Sequence, residues 1–310
     1  MKKLINVVVS AYNEEECVDE LCTRLAKVFD SEFQYHFKAY IIDNGSTDLT
    51  WEKLSRIVSS DGRFAAVKLA RNFRMDGGLT AGLSLVDGDA CVLMAADLQD
   101  PPEMIPTFIR QWESGWENVY GIVTKRTGTK LLRKVNSALF YKIAGYLTDG
   151  KIPKNASDFR LVDKRVYLAV REMHERNRFV RGLFGWVGFK SVGVTMIRPE
   201  RHGGISNANT SVVLDLAFKG IFAHSHKPLR LITISGLAIS ALAFLAVPIL
   251  AVIWFTLGVP FAGFGSLISV ILLAFGVQIV LIGILSEYIG LIYEEVKGRP
   301  NFIISESKGV

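Results

Sequence analysis

Leu4-Ile5-Asn6-Val7-Val8-Val9-Ser10 runs into Ala11-Tyr12-Asn13-Glu14-Glu15, and this junction decides the fold. The first seven residues form an almost unbroken apolar, β-branched run, the pattern of a strand buried on both faces of a parallel sheet. The same passage from apolar run to polar cluster recurs three times. Phe37 to Ile42 reads as a second strand, followed by Asp43-Asn44-Gly45-Ser46-Thr47-Asp48 and a helix over 50–59. Ala65 to Leu69 reads as a third, followed by Arg71-Asn72-Phe73 and a helix around Gly78 to Val86. Ala90 to Ala95 reads as a fourth, ending in Asp97-Leu98-Gln99-Asp100-Pro101-Pro102. A helix from near Glu14 to Phe29 completes the first crossover. Such alternation predicts an α/β fold, a mostly parallel sheet with helices on both faces. Ligands of such sheets sit at the carboxyl ends of the strands, where every polar cluster just named falls.

The loop after the first strand holds no glycine, so it lacks the dinucleotide fingerprint, and no phosphate-cradling P-loop occurs elsewhere. The strand ends supply carboxylates instead: Asp43, Asp48, Asp97 and Asp100. Carboxylates beside a phosphate-bearing ligand repel it unless a divalent cation such as Mg²⁺ or Mn²⁺ lies between them. For Asp48 and Asp100 a turn or cap role is the favoured reading.

The chain has 310 residues, is half apolar and 21% charged, and carries a net charge of +6. From Leu231 through Ser286 there is no Asp, Glu, Lys or Arg. That run is too long for one membrane span and suits two, at about 20 apolar residues each. Gly258-Val259-Pro260 or Gly263-Phe264-Gly265 marks the break, which puts the spans near 231–257 and 267–285. Lys219, Lys227 and Arg230 precede the run and Lys297 and Arg299 follow it, so both ends are expected on the cytoplasmic side. The expected organisation is a soluble domain over 1–228, two transmembrane helices within 229–288, and a cytoplasmic tail over 289–310. The apolar stretch at the N-terminus stops at Ser10, too short for a signal peptide. Lys125, Arg126, Lys130, Arg133 and Lys134 flank the periodic apolar residues Leu131 to Leu147, an amphipathic helix suited to an anionic bilayer, a phosphate substrate or plain solvent. This composition excludes disorder and a disulfide scaffold, the basic residues lack the aromatic interleaving of a nucleic-acid surface, and Cys17, Cys22 and Cys91 read as reduced thiols.

Ala11-Tyr12-Asn13-Glu14, Ile42-Asp43-Asn44-Gly45-Ser46-Thr47-Asp48, Arg71-Asn72-Phe73 and Asp97-Leu98-Gln99-Asp100-Pro101-Pro102-Glu103 together resemble the signatures of family 2 glycosyltransferases. Within that family they are most similar to the polyprenyl-phosphate branch, the bactoprenol glucosyltransferases and dolichol-phosphate mannose synthases. Ser157-Asp158-Phe159-Arg160-Leu161, Arg178-Phe179-Val180-Arg181-Gly182 and Glu287-Tyr288-Ile289-Gly290 extend the resemblance over nearly the whole chain. It implies a GT-A-type fold and an inverting, metal-dependent transfer of a hexose from a nucleotide sugar to polyprenyl phosphate at the cytoplasmic membrane face. UDP-glucose is the leading donor, with GDP-mannose or another UDP-sugar open. By the same resemblance, Ala11, Tyr12, Glu14, Asp43 and Arg71 hold the nucleoside, and Asp97 and Gln99 hold Mg²⁺ or Mn²⁺ against the diphosphate. Asp158 takes the position of the catalytic base, and Arg198 and Arg201 meet phosphate groups. Homo-oligomers and a partner flippase are further implications. Three departures stand out: Ala95 replaces the first metal-site Asp, Asn44 stands where a second Asp is common, and Arg201 to Asn209 replaces a segment richer in Lys and Tyr. Ala95 keeps a silent, nucleotide-binding homologue open as the alternative.

Overall fold

The structure, a computed structural model, describes residues 2–125, 156–176, 178–199, 227–257 and 263–310. Arg201 and the amphipathic segment from Arg126 to Leu147 lie outside the described residues. The chain divides into two units, Met1–Ala217 with Gly298–Val310, and Phe218–Lys297.

The first unit alternates as expected: β1 (Leu4–Ala11), α1 (Val18–Ser31), β2 (His36–Asp43), α2 (Thr50–Ser60), β3 (Phe64–Leu69), α3 (Arg74–Leu85) and β4 (Ala90–Ala95). A turn at Pro102–Met104 leads into α4 (Ile105–Glu113), then β5 (Asn118–Lys125), β6 (Ala156–Asp163), α5 (Lys164–Arg171), α6 (Val180–Trp186) and β7 (Ser191–Ile197). The last strand is β8 (Ile304–Lys308), and the sheet order is β7-β5-β6-β4-β1-β2-β3-β8. Strands β1 to β4 pair in parallel, whereas β6 runs antiparallel to both β4 and β5. The reversal of β6 has a consequence for chemistry: it brings the start of that strand, Ser157 and Asp158, to the carboxyl end of β4.

Val7, Val8 and Val9 are fully buried because helices cover both faces of β1. Leu21, Leu25, Leu54 and Phe108 pack on one face. Leu79, Leu83, Val166 and Phe184 pack on the other. Each such side chain contributes about 1.5–3 kcal/mol by leaving water. α3 lies close on the sheet, and at Gly82 a Cβ would come within 2.1 Å of Val8 Cγ1.

Two helix starts differ from expectation. α1 begins at Val18, not near Glu14, because Asn13 takes a left-handed φ of 53° and the Glu14 carbonyl closes a turn onto the Cys17 and Val18 amides. α3 begins at Arg74, four residues before Gly78. The C-terminal segment also differs from a free tail: β8 pairs antiparallel with β3 and extends the sheet by one strand. All three cysteines are buried and free.

The second unit holds α7 (Lys227–Leu257) and α8 (Phe264–Lys297), so α8 runs well beyond the expected 285. Large apolar side chains such as Phe255, Leu273 and Val280 are exposed along them. Among the described residues, Leu273–Lys297 is the one helix long and apolar enough to cross a membrane.

Candidate active site

Four loops build the rim at the carboxyl ends of β1 to β4. After β1, Ala11 is buried and its carbonyl accepts from the Asn44 amide, which ties the first two loops together. Tyr12 is half-buried, and Glu14 is buried with its amide donating to Thr50 Oγ1 at 3.0 Å. After β2, Asp43 is fully buried; Oδ1 accepts from the Ser46 amide at 2.9 Å, while Oδ2 is buried with no partner among the described residues. Burial raises the Asp43 carboxyl above its ordinary value, against the Ser46 hydrogen bonds and Lys68. An orphaned buried acceptor is what a nucleobase N–H would satisfy. Asp48 does serve as a turn residue, accepting from the Glu15 and Thr50 amides.

Gly45 has a φ of +74°, and a Cβ there would lie 2.6 Å from the Arg71 carbonyl carbon. Glycine therefore lets the β2 and β3 loops touch. Arg71 is exposed with its guanidinium 4.1 Å above the Phe73 ring. Asn44 bridges the same loops: its Oδ1 accepts from the Phe73 amide at 2.8 Å, and its Nδ2 donates to the Arg74 carbonyl at 2.6 Å. Arg74 is held there at a left-handed φ of 64°.

After β4, Asp97 Oδ1 accepts from the Gln99 amide at 3.2 Å, so the two proposed metal ligands share one tight turn. Asp100 is buried. Its Oδ2 accepts from the Ala95 amide at 3.2 Å, and its Oδ1 lies 3.7 Å from Arg198 Nη2. Burial pushes the Asp100 carboxyl up to about 6; Arg198 opposes this, whereas Asp97 and Asp158 add to it. Asp97, Asp100, Asp158 and Arg198 thus form one cluster.

Asp158 accepts from both Arg181 Nε and Arg181 Nη2. Burial works to raise its carboxyl, but Arg181, then Arg160 and Arg198, hold it below the usual range. Arg160 is buried, 4.8 Å above the Phe184 ring, with its donors on the Ser157 and Asp158 carbonyls. Burial lowers it to about 10. Arg198 has a buried Nε with no partner among the described residues. Sequence reasoning assigned neither Arg181 nor Asp76 to this site, and it had Arg160 only through the Ser157-to-Leu161 motif, beside Asp158. The Arg178-to-Gly182 motif signalled Arg181 without a role, and Asp76 had no signal at all. Asp76 Oδ1 accepts from the Val180 amide at 2.9 Å and so fixes the start of α6.

Among the described residues no three His, Cys, Asp or Glu side chains cluster to hold a metal. The donors present, the Asp97 carboxylate and the Gln99 amide oxygen, are hard oxygen ligands. They fit a Mg²⁺ or Mn²⁺ ion that takes its remaining ligands from substrate phosphate and water.

A doubly covered, mostly parallel sheet with acidic and basic side chains converging on its carboxyl rim places a ligand site there. Residues 6–170 match the family described as glycosyl transferase family 2, and the chain belongs to that family. It is a glycosyltransferase with a GT-A-type sheet. It is 37% identical over 305 residues to an uncharacterized glycosyltransferase, YkcC, of Bacillus subtilis, covering 98% of this chain and 94% of that one. It is 35% identical over 303 residues to the SfII prophage-derived bactoprenol glucosyl transferase of Shigella flexneri, covering 98% of each. It is likewise 35% identical over 306 residues to the prophage bactoprenol glucosyl transferase homolog of Escherichia coli, covering 98% and 99%.

Proposed function

We propose that the chain transfers a hexose, with glucose from UDP-glucose as the leading donor, to polyprenyl phosphate with inversion at the anomeric carbon. One observation carries the chemistry: Asp158 is gripped by Arg181 and surrounded by two further arginines. A carboxylate so stabilised is a weak proton acceptor. It suits an acceptor that needs little deprotonation, and a phosphate monoester with a second pKa of about 6 is already dianionic near pH 7. Relatives bearing the bactoprenol name, similar over the full length, support the same acceptor.

In this reading the orphaned Asp43 Oδ2 accepts from the nucleobase, with Ala11, Tyr12, Glu14 and Arg71 around the nucleoside. Arg198, and with it Arg201, meets phosphate oxygens, and Asp158 holds Arg181 and Arg160 where the acceptor phosphate enters. An acceptor oxygen forms the new bond to the anomeric carbon as the bond to the diphosphate breaks, and the nucleoside diphosphate leaves with the electron pair. Asp97 and Gln99 would hold Mg²⁺ or Mn²⁺, which would supply Lewis-acid stabilisation of that departing charge.

The chain leaves the catalytic unit for the apolar one and returns to form β8 in the same sheet. Both ends of the apolar unit therefore attach to one folded body, which supports an even number of crossings. The flanking Lys219, Lys227, Arg230, Lys297 and Arg299 favour the cytoplasmic side for that body. A lipid-linked product on that face calls for a flippase, and a homo-oligomer would shield the exposed apolar faces of the thin helical unit.

The test is transfer of labelled sugar into a lipid-extractable product by membranes given polyprenyl phosphate, a divalent cation and a panel of nucleotide sugars. One donor should give product that is lost with EDTA and in Asp97→Ala. No product from any donor, with nucleotide binding intact, would favour a silent homologue and make Ala95→Asp the next variant to test.

A further inference from the structure

Away from the rim, a cavity of about 230 Å³ opens beside the last turns of α3. Ser84 of α3, Arg171 at the end of α5, and His174, Arg176 and Arg178 of the connector to α6 line it, with Asn301 of the C-terminal segment. Among the described residues no Asp or Glu belongs to the lining. The hydrogen bonds of Arg171 and Arg178 run to main-chain carbonyls: Arg171 to Ser84 and Val86, Arg178 to Met173 and Val170 at 2.7 and 2.8 Å. Arg178 Nε is buried with no partner among the described residues. Burial lowers the Arg178 guanidinium, and Glu175 and Asp76 are the carboxylates that offset this. The described lining is thus cationic, with Arg171 and Arg178 on a concave wall that holds no described carboxylate. Guanidinium forks around such a site match phosphate oxygens.

The connector links this cavity to the rim. Arg178 faces the cavity; two residues on, the Val180 amide donates to Asp76; one further on, Arg181 grips Asp158. We infer that the cavity binds a phosphate-bearing anion and that its occupancy adjusts the Arg181–Asp158 pair. The headgroup of an anionic phospholipid and soluble phosphate share this chemistry. The lining chemistry is the same for either source, and the two arms of the test separate them.

Binding is read without turnover, by thermal stability of the full chain in phosphatidylcholine nanodiscs. One arm adds inorganic phosphate, and the other replaces part of the lipid with phosphatidylglycerol. Ser84→Glu places a carboxylate in the cavity from an exposed helix position, and Arg171→Gln removes a cation. The wild type should gain stability with at least one probe, and each variant should weaken that binding by about tenfold. A response to phosphatidylglycerol alone assigns a lipid headgroup, and a response to phosphate alone assigns a soluble ligand. No response to either, or a response unchanged in both variants, overturns the site. The coupling rests on the transfer reaction proposed above. It predicts a transfer rate that follows occupancy in the wild type and not in Ser84→Glu; a rate indifferent to occupancy overturns the coupling while leaving the reaction intact.

Discussion

Arg181 donates twice to Asp158, from Nε at 2.8 Å and from Nη2 at 2.5 Å, across 23 residues of sequence. This fork is partly buried on both sides. A bidentate contact of this kind fixes orientation as well as charge. It assigns Asp158 first to holding arginines in place.

Asp158→Asn keeps the shape but removes the charge that Arg181, Arg160 and Arg198 share. We expect kcat to fall by about 100-fold or more while nucleotide affinity changes by less than about threefold. Arg181→Gln should produce a loss of similar size, and the double variant little more, since the two act as one unit. Fully additive losses in the double-mutant cycle would contradict this arrangement.

Asp76 gives the pH dependence a sign. Burial pushes its carboxyl up to about 6, with Asp158 adding to the shift and the Val180 amide, Arg181 and Arg178 opposing it. Its folded value lies above the ordinary 3.8, so the folded state binds the proton more tightly than the unfolded chain. Its contribution to stability is therefore present below about pH 4 and is lost as pH rises through about 6. Asp76→Asn should flatten the Tm-against-pH curve across that window, by at most about 3 kcal/mol in stability. An unchanged curve would mean that another group titrates there.

Asn44 explains why an amide suits a position where a carboxylate is common. Asn44→Asp retains the bond from the Phe73 amide but sets a carboxylate oxygen against the Arg74 carbonyl. The cost should be about 1–3 kcal/mol, with Arg74 freed from its left-handed backbone and KM for the nucleotide sugar raised. A variant with wild-type KM and stability would show that the bridge is dispensable.

Ending the chain after Ile303 removes β8 and leaves the edge of β3 unpaired. It also removes Lys308 from above the Trp51 ring. Tm should drop by about 5 °C or more, and light scattering should report association through the bare edge. Unaltered melting would show that β8 adds nothing to the sheet.

The first four strands were legible because a doubly covered strand is written as a continuous apolar run, and Leu4 to Ser10 is one. The start of α3 was not: the helix was expected around Gly78 and begins four residues earlier, at Arg74. Gly78 lies against Ser10, where a Cβ would come within 2.4 Å of its Oγ. The rim residues Asp43 and Asp97 could be placed from their strand ends. The partner of Asp158 could not: Arg160 is its neighbour in sequence, yet stacks on Phe184, and the ion pair falls to Arg181 through tertiary packing alone. β8 was hidden for a related reason. Ile304-Ser305-Glu306-Ser307-Lys308 is an exposed edge strand and carries little apolar pattern to read.

The strand that completes the sheet follows the apolar helices in the chain, so it emerges from the ribosome after them. Until then the edge of β3 stays unpaired, so the sheet of the catalytic unit is closed only by the last strand to be made, and any premature stop within the last few residues leaves that edge open.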